Sequence, residues 1–142
     1  MYRRILVALD HTPADEALIP EVVELATRLG SQLLLVHVAD GWVARNYDRL
    51  QLAESEEMRE DRAYLERVAA DLRARTGLQV DARLALGDPP REILRLCEDE
   101  QCDLIAMTTH GHRLIGDILF GSTIDYVRHR SKATLLVVSA RT

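Results

Sequence analysis

The sequence predicts an α/β fold: an open five-stranded parallel sheet in the order 3-2-1-4-5, with helices on both faces. Three observations carry this. Short β-rich apolar runs alternate along the chain with longer stretches of helical periodicity. Most of the short runs are almost continuously apolar, as strands covered on both faces are. The order β-α-β-α-β-α-β-α-β needs crossover connections, which are right-handed, and winding both ways from the first strand gives 3-2-1-4-5. The 142 residues read as one domain, 1–142, with no internal repeat or low-complexity linker.

The first strand lies in "RILVALD" (4–10). "TPAD" (12–15) then opens a helix, with Thr12 as N-cap, Pro13 at the first helical position and Asp15 at the third. Leu18, Val22, Leu25 and Leu29 form its apolar stripe and Gly30 ends it. Pro20 interrupts the pattern, so the helix kinks there or begins near residue 18. "SQLLLVHVAD" (31–40) is the second strand, and residues 39–57 are the longest irregular stretch, although 46–57 also suit a helix. Leu65, Val68 and Leu72 mark the second helix, and the dense charges of 54–66 suit its solvated face, stitched by i,i+4 pairs. "LQVDARLAL" (78–86) alternates, as a strand nearer an edge does. "GDPPREIL" (87–94) starts the third helix with prolines in its first turn, followed by Ile93, Leu94 and Cys97. "CDLIAM" (102–107) and "ATLLVVS" (133–139) are the last two strands, flanking a helix near 121–130 that carries Ile124 and Val127.

The composition is that of an ordinary soluble globular protein, 47% hydrophobic and 29% charged. A net charge of −5 argues against a nucleic-acid groove. No run approaches the ~20 apolar residues of a membrane span, and "MYRRILVALD" enters a strand without a cleavable signal pattern, so a cytoplasmic location is expected. Cys97 and Cys102, the only cysteines, are expected to be inert thiols.

Ligands of open parallel sheets sit beyond the carboxyl ends of the strands where strand order reverses. Here that falls between strands one and four, which end in "ALD" (8–10) and "MTTHG" (107–111), with Asp10 facing the crevice. The stretch "MTTHGHRLIGDILFGST" (107–123) holds three of the seven glycines and two of the five histidines. Ser122 and Asp125 form a capping box that opens the fourth helix. A helix start offers free N–H groups and partial positive charge to a phosphate. Gly111 and Gly121 allow close backbone approach, and His110, His112 and Arg113 supply further donors. The same residues also suit plain loop punctuation. A Walker-type loop is excluded, because GxxxxGK[ST] is absent and the sole lysine is Lys132. No GxGxxG follows the first strand, which argues against a Rossmann dinucleotide site.

"ILVALD", "LLLVHV", "GDPPREIL", "CDLIAMTTHG", "GS" and "ATLLVV" occur in the order of the universal stress protein family, which the whole chain resembles. The resemblance implies a five-stranded α/β domain that forms a homodimer through its last strand, here Ala133 to Ser139. It also implies two subgroups, one binding ATP through Gly-x2-Gly-x9-Gly-[Ser/Thr] and one without nucleotide. Gly111, Gly121 and Ser122 match that motif, while Thr108 stands at its first glycine. Thr108 is strained if the position needs φ > 0; if it needs only a small side chain facing the ribose, the hydroxyl serves. Adenine and ribose contacts carry over to Ala8, Leu9, Asp10 and Val38, and the phosphate side includes His110, His112, Arg113 and Thr123. The expected ligand is ATP with magnesium, and the expected role a regulatory switch in stress adaptation. No nucleophile–base pair is evident at the crevice, so at most slow ATP hydrolysis is expected. The alternative is a nucleotide-free interaction module of the same fold.

Other features have plainer readings. His110 and His112 lack a third ligand of good spacing, so no protein-only metal site is expected. His37 reads as a hydrogen-bonded core histidine, and His129 suits the negative end of a helix. Trp42 packs its loop onto the body or stacks on the base.

Overall fold

The computed structural model describes residues 1–39, 56–109 and 123–140. Its strands are β1 (Arg4–Ala8), β2 (Gln32–Ala39), β3 (Val80–Leu86), β4 (Leu104–Thr108) and β5 (Thr134–Val138). Helices α1 (Asp15–Leu29), α2 (Glu56–Thr76) and α3 (Pro89–Asp99) follow the first three strands, and residues 123–130 form a further helix, α4. All four strand pairings are parallel and the order is β3-β2-β1-β4-β5, as the sequence predicts.

Burial follows from this order. Ile5, Leu6 and Val7 of β1 and Leu33 to Leu35 of β2 are wholly shielded from solvent, and every residue of β4 is buried. That two-sided burial is why these runs are continuously apolar. β3 and β5 are the outer strands and carry exposed residues, in keeping with the alternation of 78–86. One apolar layer packs Ile5, Val7 and Leu33 beneath Leu18, Val22 and Ala26 of α1 and Leu65, Ala69 and Leu72 of α2. The other packs Leu6, Leu34 and Ile105 beneath Ile93, Leu96 and Cys97 of α3 and Val127 of α4.

Two boundary expectations need correction. Helix α1 begins at Asp15, not near residue 18, and runs through Pro20. The N–H that Pro20 lacks would have reached the carbonyl of Glu16, an exposed residue that water can serve. The N-cap position is Ala14 rather than Thr12, and it makes no side-chain cap bond. Thr12 instead forms the turn before the helix: its carbonyl accepts from Asp15 N at 3.0 Å and its Oγ1 from Ala14 N at 3.2 Å. Gly30 ends α1 as expected, at φ 71°, a left-handed conformation that a Cβ would strain.

At the amino ends of the strands, the Asp103 carboxylate accepts from Arg3 N and Arg4 N, at 2.9 and 3.1 Å. The Arg4 guanidinium meets Asp81 and Glu100, each at 3.0 Å. Burial weakens this cation, but its two carboxylate partners outweigh that and hold its pKa above the ordinary value. Both cysteines are buried, and Cys97 Sγ donates to the Cys102 carbonyl at 3.4 Å. Burial is the first cause that pushes both thiols up, Cys102 to about 12, so neither is a ready thiolate near neutral pH. Among the described residues no helix is long and apolar enough to cross a membrane. The amino edge of the sheet is thus crossed by ion pairs from Arg4 to Asp81 and Glu100.

Candidate functional site

Strand order reverses between β1 and β4, whose carboxyl ends lie side by side through the Ile5–Leu104, Leu6–Ile105 and Val7–Ala106 pairs. Ala8, Leu9 and Asp10 leave β1 at this edge and Thr108 ends β4 there. Val38 stands near the end of the neighbouring β2, and Thr123 is buried where the described part of α4 begins. Ala8 and Val38 pack on the α3–α4 face of the sheet, whereas Leu9 packs on the α1–α2 face. His110, Gly111, His112, Arg113, Gly121, Ser122 and Trp42 lie outside the described residues.

The backbone of Thr108 bears on the first of the two alternatives that its sequence position raises. Its backbone is part of β4, paired with Val138, and it is absent from the residues with positive φ. Alternation with Leu104 and Ala106 turns its buried side chain toward the α1–α2 face. The strain that a positive φ would bring is therefore absent. The hydroxyl also lies on the other side of the sheet from the face that Ala8 and Val38 share.

The turn from β1 into α1 is organised by Asp15. Its carboxylate is almost fully buried and accepts from Asp10 N at 2.8 Å, His11 N at 2.9 Å and the Tyr64 hydroxyl at 2.6 Å. A capping-box acid would reach back to the N–H of Thr12. This one reaches one and two residues further. His11 adopts φ 58°, a left-handed conformation unusual for a residue with a side chain, and the two bonds to Asp15 hold it there. The first N–H groups of α1 are satisfied separately, with Asp15 N, Glu16 N and Ala17 N donating to the carbonyls of Thr12, Pro13 and Ala14. Asp10 itself stays at the crevice, its Oδ2 accepting from Thr12 Oγ1 at 2.9 Å. Burial and then the bond to Asp15 raise the Tyr64 hydroxyl well above the usual tyrosine range, so it remains a donor.

Behind the turn lies a polar cluster that the sequence reading missed. The Asp61 carboxylate, which is buried, meets His11 Nδ1 at 2.6 Å and His37 Nε2 at 3.4 Å. His37 is hydrogen-bonded as expected, with Nδ1 2.9 Å from the Leu9 carbonyl, but it is only partly buried, at the strand end rather than in the core. The His11 ring stacks on Tyr64, with centroids 4.1 Å apart. The segment 54–66 is therefore not a purely solvated face. Asp61 falls on the buried stripe Met58, Asp61, Leu65, Ala69 and Leu72, and a charge in that register is the signal by which it is recognisable. Among the described residues of α2, Arg59 pairs with Glu56 at i,i+3 and Arg75 with Asp71 at i,i+4. His129 meets expectation, with Nδ1 2.7 Å from the Asp125 carbonyl one turn back. Among the described residues no group of three or more His, Cys, Asp or Glu side chains is arranged to hold a metal.

These features define a class, the open parallel α/β proteins with a ligand crevice at the switch point of the sheet. Within it the chain belongs to the universal stress protein family, whose model matches residues 1–139. It is 25% identical to a universal stress protein of Methanocaldococcus jannaschii, over 99% of this chain and 97% of that protein. A solved structure of the Methanocaldococcus protein superposes with a TM-score of 0.77, covering 100% of this chain and 98% of the other. Two further solved structures share the fold, each at a TM-score of 0.70 and 19% identity. One is a universal stress protein in complex with cAMP, covering 99% of this chain and 98% of that one. The other is the Archaeoglobus fulgidus protein in complex with dAMP, covering 96% of this chain and 98% of that one.

Asp15→Asn tests the account of the turn. An amide keeps the shape but turns one acceptor into a donor, leaving at least one of its three donors without a partner. The expected loss is ~1–3 kcal/mol of unfolding free energy, read by urea denaturation. An unchanged midpoint would show that Asp15 does not hold the turn.

Proposed function

We propose that the protein binds ATP, with magnesium carried by its phosphates, in the crevice between β1 and β4. In this reading it acts as a homodimeric regulatory switch in cytoplasmic stress adaptation rather than as a metabolic enzyme. The observation that carries the proposal is the extended backbone at Thr108, since the one departure from the family's nucleotide motif then costs no strain. Gly111, Gly121 and Ser122 retain the other positions of that motif. The cAMP and dAMP complexes of proteins with this fold add support for an adenine nucleotide.

Asp10 takes the ribose and Ala8 and Val38 border the base, while Leu9, whose side chain packs on the opposite face, offers only its backbone. Gly111, Gly121 and Ser122 receive the phosphates at the start of α4, with His110, His112, Arg113 and Thr123 as surrounding donors. The first N–H groups of α1, those of Asp15, Glu16 and Ala17, already donate to the carbonyls of Thr12, Pro13 and Ala14, and this favours α4 as the anion's place. The dimer forms through β5, an outer strand free of proline whose Val137 is exposed.

Calorimetric titration with ATP tests the ligand. Wild type is expected to bind, Gly121→Val to lose binding through its bulky Cβ, and Thr108→Gly to bind as well as wild type or better. No binding by wild type together with a gain in Thr108→Gly would mean that threonine closes the site. For the assembly, Val137→Pro removes an edge N–H and is expected to give monomers or insoluble chain in sedimentation experiments. A folded variant that still dimerises would place the interface elsewhere.

A further inference from the structure

Helix α3 ends in a closure that brings the two cysteines of the chain together. Gln101 takes a left-handed backbone there, at φ 56°, although it carries a side chain. Its N–H donates to the Glu98 carbonyl at 3.2 Å, and the Cys102 N–H donates to the Cys97 carbonyl at 2.9 Å. In a helix ending of this kind, the side chains at the two ends of the longer bond commonly pack against each other. Here those residues are Cys97 and Cys102. Both belong to the apolar layer beneath α3 and α4, and Cys97 Sγ lies 3.4 Å from the Cys102 carbonyl oxygen.

The pair is not sealed off from outside. Both cysteines line a cavity of about 420 Å³ between the end of α3 and the start of β5, with Leu94, Glu98, Ser131 and Lys132 among its walls. The cavity gives a small ion a path to the sulfurs. Burial first and Cys97 second push the Cys102 thiol up, Glu100 adds to this, and Arg4 opposes it by charge and hydrogen bond. Burial, then Glu98 and Asp103, raise the Cys97 thiol. Two sulfurs that oppose each other's ionisation make poor free thiolates. A cation bound to both turns that repulsion into attraction. The nearby carboxylates draw a cation in, while Lys132 and Arg4 offset the one negative charge that two thiolates and a monovalent ion retain.

We propose that Cys97 and Cys102 form a dithiol site for a thiophilic monovalent cation of the copper(I) or silver(I) kind. The ion displaces both thiol protons to solvent, so two sulfur–metal bonds replace two S–H bonds and no electron is transferred. Soft thiolates select such ions. Two thiolates suffice for them, whereas a structural zinc takes four ligands. Binding ties the last turn of α3 to the start of β4. The site lies at the amino ends of the strands, away from the crevice at their carboxyl ends, and does not depend on nucleotide binding.

Silver(I) nitrate is the probe, because silver(I) needs no reductant and leaves the thiols unoxidised. Calorimetric titration of the reduced protein in chloride-free buffer is expected to show a tightest step of one ion per chain. Repetition in a buffer of different ionisation heat is expected to show about two protons released per ion. Cys97→Ala and Cys102→Ala are each expected to lose more than the ~100-fold in affinity that a missing outer-shell partner costs. Where an alanine variant fails to fold, Cys97→Ser or Cys102→Ser takes its place. X-ray absorption at the silver edge reads wild type alone and is expected to show two sulfur neighbours. Unchanged affinity in a folded variant, one proton per ion, an ion shared between two chains or a shell of imidazole nitrogen would each overturn the site. Loss of helical circular dichroism at one ion per chain would overturn it as well, since the folded α3 ending is what brings the cysteines together.

Discussion

β1 is hydrogen-bonded on both edges, to β2 and to β4, and the geometry of the carboxyl edge follows from that double pairing. A parallel strand cannot reach its neighbour by a short turn, so each connection must cross a face of the sheet. Right-handed crossovers then put α1 and α2 on one face and α3 and α4 on the other. The chain leaves β1 toward one side and returns beside β4 from the other. The gap between those exits is the crevice, and its position is a consequence of topology before any side chain is considered.

Side chains then divide the work at that edge. Strand alternation sends Ala8 and Val38 to the α3–α4 face, while Leu9 and the His37–Asp61–His11 cluster occupy the α1–α2 face. Asp15 joins the two by fixing the backbone of Asp10 and His11 at once. One buried carboxylate therefore supports a turn that faces the β1–β4 strand ends on one side and a buried polar cluster on the other. Its donors are two backbone amides and a phenol that burial keeps protonated.

The strand order was legible because burial on both faces writes itself into composition: "RILVA", "QLLLVHVA" and "LIAMT" are each nearly continuous apolar runs. The outer β3 announced itself by alternation. Helix starts were less legible, since "TPAD" offers Thr12 as a cap and only the fold shows Asp15 reaching past it to residues 10 and 11. The family resemblance singled out Ala8, Asp10, Val38 and Thr108, and the fold does bring these strand ends to one edge. It was silent on Asp61, which reads as one acid among many in a charged stretch. Its partners are 50 residues away at His11 and on a different element at His37, and a linear pattern carries no record of such a meeting.

The central claim is that an adenine nucleotide occupies the β1–β4 crevice on the α3–α4 side. Amide chemical-shift mapping of the ¹⁵N-labelled protein during titration with ATP and magnesium tests it most directly. The account predicts the largest changes at Ala8 to Asp10, Val38, Thr109 and Thr123, with Leu65 and Leu72 of α2 nearly still. Changes centred on α2, or on Arg4 and Glu100 at the amino edge, would contradict it, as would a spectrum that saturating nucleotide leaves unmoved.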